Sequence, residues 1–209
     1  MKKRLIVLLW AAACVIGMGS GAQAAVVLDF EDAFGVLDSG NGSDGIYGGL
    51  TWSQFFGVDS ESANSHAQEY GTAWANVTPG GDYYAYNGWG YAVSVSREDA
   101  FTFVGGYFLA GGRYDTPRTE DLNIIGWLDG IEVYSETIAI PAGTCTPEWF
   151  ELNYTNVDTV TFSGADYNIG FCLDEFTYTS VPLPGAALLL ASGLIGLAAA
   201  RRSGAVEGP

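Results

Sequence analysis

The sequence predicts an all-β fold, an antiparallel β-sandwich of the jelly-roll type, for residues 25–180. Apolar and polar residues alternate in short segments through this stretch, as they do in half-buried strands, and no segment has a convincing helical period. The turns between these segments are rich in Gly, Asn and Asp. Roughly eight to ten short strands joined by such turns are typical of a β-sandwich.

The predicted strands follow one another without an internal repeat or a dividing linker, so we expect one domain. In chain order they lie in AVVLDF, GGLTWSQFF, YAVSVS, AFTFVGGYFLA, LNIIGWL, IEVYSETIAI, WFELNY, DTVTFSG and IGFCLDEFTYT. Asp129 and Gly130 stand between the fifth and sixth of these segments, and Asp-Gly in that setting predicts a two-residue hairpin. Residues 33–45 and 59–81 are polar and glycine-rich, which predicts long surface loops.

Residues 1–24 have the pattern of a signal peptide. Three basic residues, KKR, precede the apolar stretch LIVLLWAAACVIGMG, and the small residues AQA at positions 22–24 suit a signal peptidase. The mature chain is therefore expected to begin near Ala25, and the protein to be exported.

Residues 181–209 have the pattern of a membrane-spanning tail. The run from Val181 to Ala200 carries no charge, and a helix of that length, at about 1.5 Å per residue, spans the hydrocarbon core of a bilayer. Arg201 and Arg202 follow at once, and a basic pair favours the cytoplasmic side, so we expect the N-terminus outside and the C-terminus inside. A buried helical hairpin would need a polar face, which this run lacks.

The tail resembles the PEP-CTERM sorting signal in its VPLP variant. The resemblance rests on a proline motif, an apolar run and a basic pair, comprising Val181, Pro182, Leu183, Pro184, residues 185–200, Arg201 and Arg202. It implies a Gram-negative envelope protein that an exosortase recognises at the proline motif, cuts nearby and passes to the cell surface or an extracellular matrix. The helix would hold the precursor in the membrane until then. A permanent single-pass anchor is the alternative.

The domain resembles the galactose-binding-type and carbohydrate-binding-module sandwiches of many PEP-CTERM proteins. The shared segments are LDFED, GIYGGLTW, FTFVGGYFLA, GWLDGIEV, WFELNYTNVDTVTFSG and FCLDEFTY. Their residues are largely turn glycines and core aromatics, so the resemblance implies a fold more than an activity.

The predicted domain is strongly acidic. Its basic residues are Arg97, Arg113 and Arg118, against 23 acidic residues, a net charge of −20. Such a field repels nucleic-acid phosphates, which excludes nucleic-acid binding, and it repels acidic polysaccharides unless divalent cations lie between them. A soluble, strongly hydrated surface is the alternative reason for the same composition.

The predicted domain keeps two cysteines, Cys145 and Cys172, because Cys14 leaves with the signal peptide. An even pair in an oxidising compartment predicts a disulfide. Two separate buried thiols are the alternative.

The sequence offers little for catalysis, and we expect a protein that is not an enzyme. A nucleophile–histidine–acid relay needs a histidine, and the chain has only His66, in the polar stretch SANSHAQEY. A carboxylate pair could hydrolyse glycosides without histidine, but the abundance of acidic residues is no evidence of such a pair. No zinc signature, phosphate loop or dinucleotide fingerprint is present.

Acidic residues near the two ends of the domain form a first candidate site, for calcium. Asp29 and Glu31 lie in LDFED, and Asp174 and Glu175 lie in CLDEF. The first and last strands of a jelly roll commonly lie together, so these carboxylates could meet at one edge. Calcium takes six to eight oxygen ligands and would neutralise their mutual repulsion, and sandwiches of the resembled class often hold a structural calcium there. Solvated strand charges are the alternative.

Aromatic residues in GGDYYAYNGWGYAVS form a second candidate site, for a glycan. Tyr84, Tyr86, Asn87 and Trp89 combine flat rings with an amide, as sugar-binding surfaces do. Because alternate residues of a strand point to opposite faces, core packing is the alternative.

These observations together predict an exported, exosortase-sorted, non-enzymatic protein of the cell surface or of an extracellular, biofilm-type matrix. The expected partners are the exosortase, the membrane before processing, and an extracellular polysaccharide. The alternatives are a carbohydrate-binding module that uses the aromatic residues and, less favoured, a glycoside hydrolase.

Overall fold

The computed structural model describes residues 24–33, 37, 45–59, 81–87, 90–111, 118–142, 146–164, 170–181 and 193. The described part of the compact unit Ala24–Val181 contains ten β-strands and no helix. The strands are β1 Val26–Leu28, β2 Gly45–Tyr47, β3 Leu50–Ser53, β4 Phe56–Asp59, β5 Tyr83–Tyr86, β6 Val93–Gly111, β7 Arg118–Leu128, β8 Ile131–Ala142, β9 Glu148–Gly164 and β10 Gly170–Ser180. The all-β prediction is confirmed.

The predicted signal peptide and tail helix fall on residues that the structure leaves undescribed, apart from Ala24, Val181 and Gly193. Within the described ranges, no helix has the length and apolar character needed to cross a bilayer. Both segments stay predictions.

The strands pair antiparallel, apart from one parallel bridge between Ala110 of β6 and Ala142 of β8. Two long strands organise the sheet. The first part of β6, Val93–Ser96, lies between β3 and the end of β9, whereas its later part lies between β10 and the start of β9. Register shifts between Ser96 and Gly105 separate the two parts, and such irregularities bend strands.

The long strands therefore divide the sheet into two layers. The first layer contains β1, β4, β5, β10, the later part of β6 and the start of β9. The second layer contains β2, β3, the first part of β6, the end of β9, β7 and β8. Aromatic rings pack between the layers, which makes the domain a β-sandwich.

Phe162 of β9 stands at the centre of this core. Its ring lies 5.8 Å from that of Phe103, 6.0 Å from Phe108, 5.9 Å from Phe171 and 6.1 Å from Phe55, measured between centroids. Trp52 of β3 packs in the same core against Phe176 of β10, with centroids 5.2 Å apart. Alternation of apolar and polar residues along the strands thus turns one face of each layer toward the other.

The predicted hairpin at Asp129–Gly130 is confirmed. These two residues join β7 to β8 with φ values of 51° and 74°, the left-handed conformation that a tight hairpin turn requires. Asp158 supports the turn, because its Oδ2 accepts a hydrogen bond from the Asp129 N–H at 2.6 Å.

Candidate functional site

The first and last strands of the domain lie side by side, as the sequence predicts. β1 pairs antiparallel with β10, with Val26 opposite Tyr178 and Leu28 opposite Phe176. The acidic segments that follow β1 and interrupt β10 are therefore brought together where β1 and β5 meet along one side of β10. We call the group Asp29, Glu31, Asp32, Asp174 and Glu175 the acidic edge.

Asp174 is the most unusual carboxyl group of the acidic edge. The side chain is only 1% exposed. Its Oδ1 accepts the N–H of Glu175 at 2.7 Å, whereas Oδ2 has no hydrogen-bond partner. Burial raises the pKa of Asp174 to about 8, and the negative charges of Glu175, Glu31 and Asp29 act in the same direction.

The backbone next to Asp174 is irregular in a way that helps to place this carboxyl group. The pairing of β10 with β6 shifts register between Asp174 and Thr177, a β-bulge. Within the bulge Glu175 has a φ of 47°, an uncommon conformation for a residue with a side chain.

Glu31 ties the turn after β1 to the start of β5. Its Oε1 accepts hydrogen bonds from the N–H groups of Asp82 at 2.8 Å and Tyr83 at 3.1 Å. Gly81 precedes these donors with a φ of 95°, and a Cβ atom there would overlap the Glu31 carboxylate. Glycine at this position therefore allows the carboxylate to reach the backbone.

Asp32 also belongs to the acidic edge, although it is not among the residues predicted for the calcium site. Burial and the hydrogen-bonded Asp32 carboxylate raise the pKa of Tyr47 well above its usual range, and Asp29 adds to the effect. The Tyr47 ring stacks on Phe30, with centroids 5.5 Å apart. This tyrosine joins the acidic edge to the core.

The acidic edge is an oxygen-only donor set, which is the chemistry that calcium prefers. Among the described residues, no three His, Cys, Asp or Glu side chains converge as a ready metal-binding group. Calcium also draws on backbone carbonyls and water. The unpartnered Oδ2 of Asp174 is the observation that fits a cation, because a buried acceptor without a donor is costly.

The predicted glycan site is wrong for two of its four residues. Tyr84 is buried against Leu109 and Cys172 in a small second cluster. Asn87 is also buried, and its Oδ1 accepts the N–H of Phe171 at 2.8 Å while its Nδ2 donates to the Tyr91 carbonyl at 3.1 Å. These side chains hold β5 and β10 together and offer nothing to a ligand.

Of the other two residues of the predicted glycan site, Tyr86 is described and Trp89 is not. Tyr86 is half-buried and packs beside Phe56 and Gly170. Trp89 lies outside the described residues.

Cys172 is a free, buried thiol in the structure. Burial raises its pKa, and a hydrogen bond with Tyr84 partly opposes that effect. This finding does not support the predicted disulfide. Cys145, the predicted partner, lies outside the described residues, so the pairing stays a prediction.

The domain ends at Val181, the first residue of the proline motif. Val181 is partly exposed, and its N–H donates to the Ala100 carbonyl at 3.3 Å. One residue earlier, the Ser180 hydroxyl accepts a hydrogen bond from the Arg97 guanidinium at 2.8 Å. Pro182, Leu183, Pro184, Arg201 and Arg202 lie outside the described residues.

Comparison with known proteins places the fold only. No protein-family model and no curated protein matches the chain. Among solved structures, a DUF4465 family protein from Bacteroides caccae aligns with a TM-score of 0.51 and 14% identity, over 76% of this chain and 100% of that one. At this identity the likeness shows a shared fold and nothing about function.

Two further structures come from Xyn10C of Paenibacillus barcinonensis. Its CBM22-1–CBM22-2 tandem domain aligns with a TM-score of 0.41 and 14% identity, over 79% of this chain and 47% of that one. Its CBM22-1 xylan-binding domain aligns with a TM-score of 0.40 and 14% identity, over 78% and 99%. These likenesses are too distant to say anything about a ligand of this chain.

Proposed function

We propose that the chain is an exported, non-enzymatic protein of the Gram-negative cell surface or extracellular matrix, sorted by an exosortase through its C-terminal segment. In this proposal residues 25–180 are a jelly-roll, galactose-binding-like domain. The apolar tail holds the precursor in the membrane until it is cut. The mature domain then takes part in a matrix together with an extracellular polysaccharide.

The observation that carries the proposal is where the folded domain ends. Strand β10 runs to Ser180, and the compact unit of the sandwich ends at Val181, the first residue of the VPLP motif. The motif therefore begins at the boundary of the sandwich. An enzyme that reads an extended segment needs a site outside the sheet, and prolines favour such an extended chain.

A binding or structural role is favoured over catalysis by the state of Asp174, the carboxyl group with the most perturbed pKa among the described residues. A general acid with a raised pKa must reach its substrate. Asp174 is 1% exposed and lies within the sheet, so it has no route to a glycosidic bond. Its raised pKa is a consequence of burial at the acidic edge.

The first test is the C-terminus of the mature protein. We expect mass spectrometry of the protein recovered from its native host to find a C-terminus between Val181 and Gly185. Replacing Pro182 and Pro184 should leave an uncut precursor in the membrane fraction, because the extended recognition segment is lost. Peptides from beyond Arg202 in the mature protein would identify a permanent anchor and contradict the sorting proposal.

A structural calcium ion at the acidic edge is part of the same proposal. Asp174, with Asp29 and Glu31, would hold it, and the ion would neutralise the carboxylates that add to the effect of burial in raising the pKa of Asp174. The ion would thus fasten β1 and the start of β5 to β10.

We expect millimolar calcium to raise the melting temperature of the full chain by about 5–10 °C, as a ligand well above its Kd does when it binds only the native state. Asp174→Asn removes the central charge and should abolish the response. Asp121→Asn, an exposed carboxylate on β7, is the matched control and should keep it. A melting temperature that calcium leaves unchanged in the parent would rule out the ion.

A further inference from the structure

The outward face of the second layer bears a regular array of hydroxyl groups. Three strands in this layer alternate apolar and hydroxyl residues, as in LTWS, VSVS and TVTFS. Their pairing sets Thr51 opposite Ser96 and Ser96 opposite Thr159 in one row. Ser53, Ser94 and Thr161 align in the same way in the next row. The partners Trp52, Val95 and Val160 point inward and are buried, so these six hydroxyl side chains face outward.

The array continues across the next two strands in the row of Ser94 and Thr161. Thr161 lies opposite Ile125 of β7, and Ile125 lies opposite Ser135 of β8. Two residues from this pair along the same strands, Asn123 of β7 lies opposite Thr137 of β8, and the Thr137 hydroxyl donates a hydrogen bond to Asn123 Oδ1 at 2.7 Å. We call this surface of β3, β6, β9, β7 and β8 the hydroxyl face.

Trp127 supplies a flat ring at one end of the hydroxyl face. It lies opposite Thr159, so it shares the face, and it is partly exposed. Its indole Nε1–H donates to the Thr161 hydroxyl at 3.1 Å. Because Thr161 belongs to the adjacent strand, this hydrogen bond lays the indole along the sheet, beside the hydroxyl rows.

The dimensions of the face follow from strand geometry. Neighbouring strands lie about 4.8 Å apart and alternate residues of one strand about 6.7 Å apart. The six hydroxyl side chains thus repeat over a broad, shallow surface, and each hydroxyl can both donate and accept a hydrogen bond. A partner with closely repeated hydroxyl groups of its own can engage several of them at once.

The charge pattern decides which partner fits. The predicted domain carries 23 acidic residues, but none occupies the rows of Ser, Thr and Asn described above; Glu132, opposite Trp127 on β8, lies at the end of the Thr159 row. A cationic partner would favour the acidic surfaces instead, and an anionic polymer would be repelled. A second copy of this domain, with the same net charge of −20, would be repelled as well. A neutral partner remains, and a ring face next to hydroxyl groups is suited to the apolar face and hydroxyl edge of a sugar.

We infer that the hydroxyl face, with Trp127 as its stacking platform, binds a neutral polysaccharide. This inference rests on the proposed matrix function and supplies its ligand class. The sugar would lie over Trp127 and reach Thr159, Ser96 and Ser94 with its hydroxyl groups.

Affinity gel electrophoresis of the full chain in detergent tests the inference, with dextran, galactomannan and soluble β-glucan as neutral probes and alginate as the anionic one. We expect retardation by at least one neutral polymer and none by alginate under calcium-free conditions. Trp127→Ala should weaken binding at least tenfold because it removes the stacking surface. Thr159→Lys should weaken it to the same extent because it places a bulky charge within the hydroxyl rows. Unchanged denaturation midpoints would separate this effect from unfolding.

Matched substitutions on the first layer serve as controls. Trp149→Ala removes another partly exposed tryptophan, and Thr102→Lys adds the same charge at a strand threonine. Both should bind like the parent. No retardation by any of the three neutral polymers, or loss of binding in Trp149→Ala rather than Trp127→Ala, would overturn the inference.

Two other outcomes would assign the face to a different occupant. A dimer that forms with rising concentration and is lost in Thr159→Lys would assign the face to a second copy. Inhibition of ice recrystallisation by the parent and not by Thr159→Lys would assign it to ordered water. The C-terminus found in the native host is independent of all these outcomes, so the sorting proposal and the hydroxyl face can fail separately.

Discussion

Phe162→Ala should lower the free energy of unfolding by about 3–5 kcal/mol, the usual cost of removing a buried phenylalanine. The expectation follows from the position of this ring between the two layers, in contact with Phe55, Phe103, Phe108 and Phe171. A close-packed neighbourhood of rings cannot collapse into the space left behind. Since small proteins are stable by only about 5–15 kcal/mol, a large part of the free energy of unfolding would be lost.

Chemical denaturation of the full chain at fixed pH measures the effect. Ser163→Ala, the adjacent residue on the outward side of β9, is the control and should change stability by less than about 0.5 kcal/mol. A Phe162→Ala variant within 1 kcal/mol of the parent would mean that the layers do not pack through this ring.

In the absence of divalent cations, the protein should lose stability as the pH rises from about 4 to about 8, because of Asp174. Its pKa is about 8 in the folded protein, against an ordinary value of 3.8 for an aspartate. Between these values the folded chain holds a proton that the unfolded chain has released, so the contribution is complete below pH 3.8 and is lost as the pH rises toward 8. A shift of this size corresponds to a loss on the order of 5 kcal/mol.

Denaturation at pH 5 and at pH 9, in the presence of a chelator, checks the sign. Asp174→Asn keeps the shape of the side chain and removes its titration, so the variant should be clearly more stable than the parent at pH 9 and more stable by a much smaller margin at pH 5. The comparison cancels the contribution of the other acidic groups. Equal pH dependence in the two proteins would show that Asp174 ionises in the folded state as easily as in the unfolded state.

The sequence predicted those parts of the fold that depend on local patterns. Alternation indicated strands, Asp129–Gly130 marked a hairpin, and the jelly-roll analogy brought β1 next to β10. It did not predict that two pairs of predicted strands are continuous. YAVSVS and AFTFVGGYFLA join in β6, and WFELNY and DTVTFSG join in β9. The reason is that polar residues at a bend, such as Glu98 and Asp99, interrupt the alternation in the same way as a turn does.

The candidate site could be predicted only in outline. Asp29, Glu31, Asp174 and Glu175 were found because their strands are neighbours. The burial of Asp174 is the cause of its raised pKa. It depends on residues distant in sequence and has no local signal. Asp32 could have been found in LDFED, because it is the third acidic residue of that segment.

Tyr84 and Asn87 were misassigned because the outward face of the first layer carries a small core of its own. Tyr84 packs there with Leu109 and Cys172, from strands that only the folded topology brings together. The hydroxyl face had a local signal in the Ser and Thr residues of VSVS and TVTFS. Its extent depends on which strands are adjacent, and that follows from the long-range pairing of β3, β6, β9 and β7.

The pairing of β1 with β10 bears on how such a protein leaves the cell. Val26 lies opposite Tyr178, so the chain enters and leaves the sandwich at neighbouring points of one edge. Under the proposed export route, the signal peptide and the tail helix would each hold the precursor in the membrane. Cutting one of them would leave the domain attached through the other. Release would therefore require both cleavages, in either order.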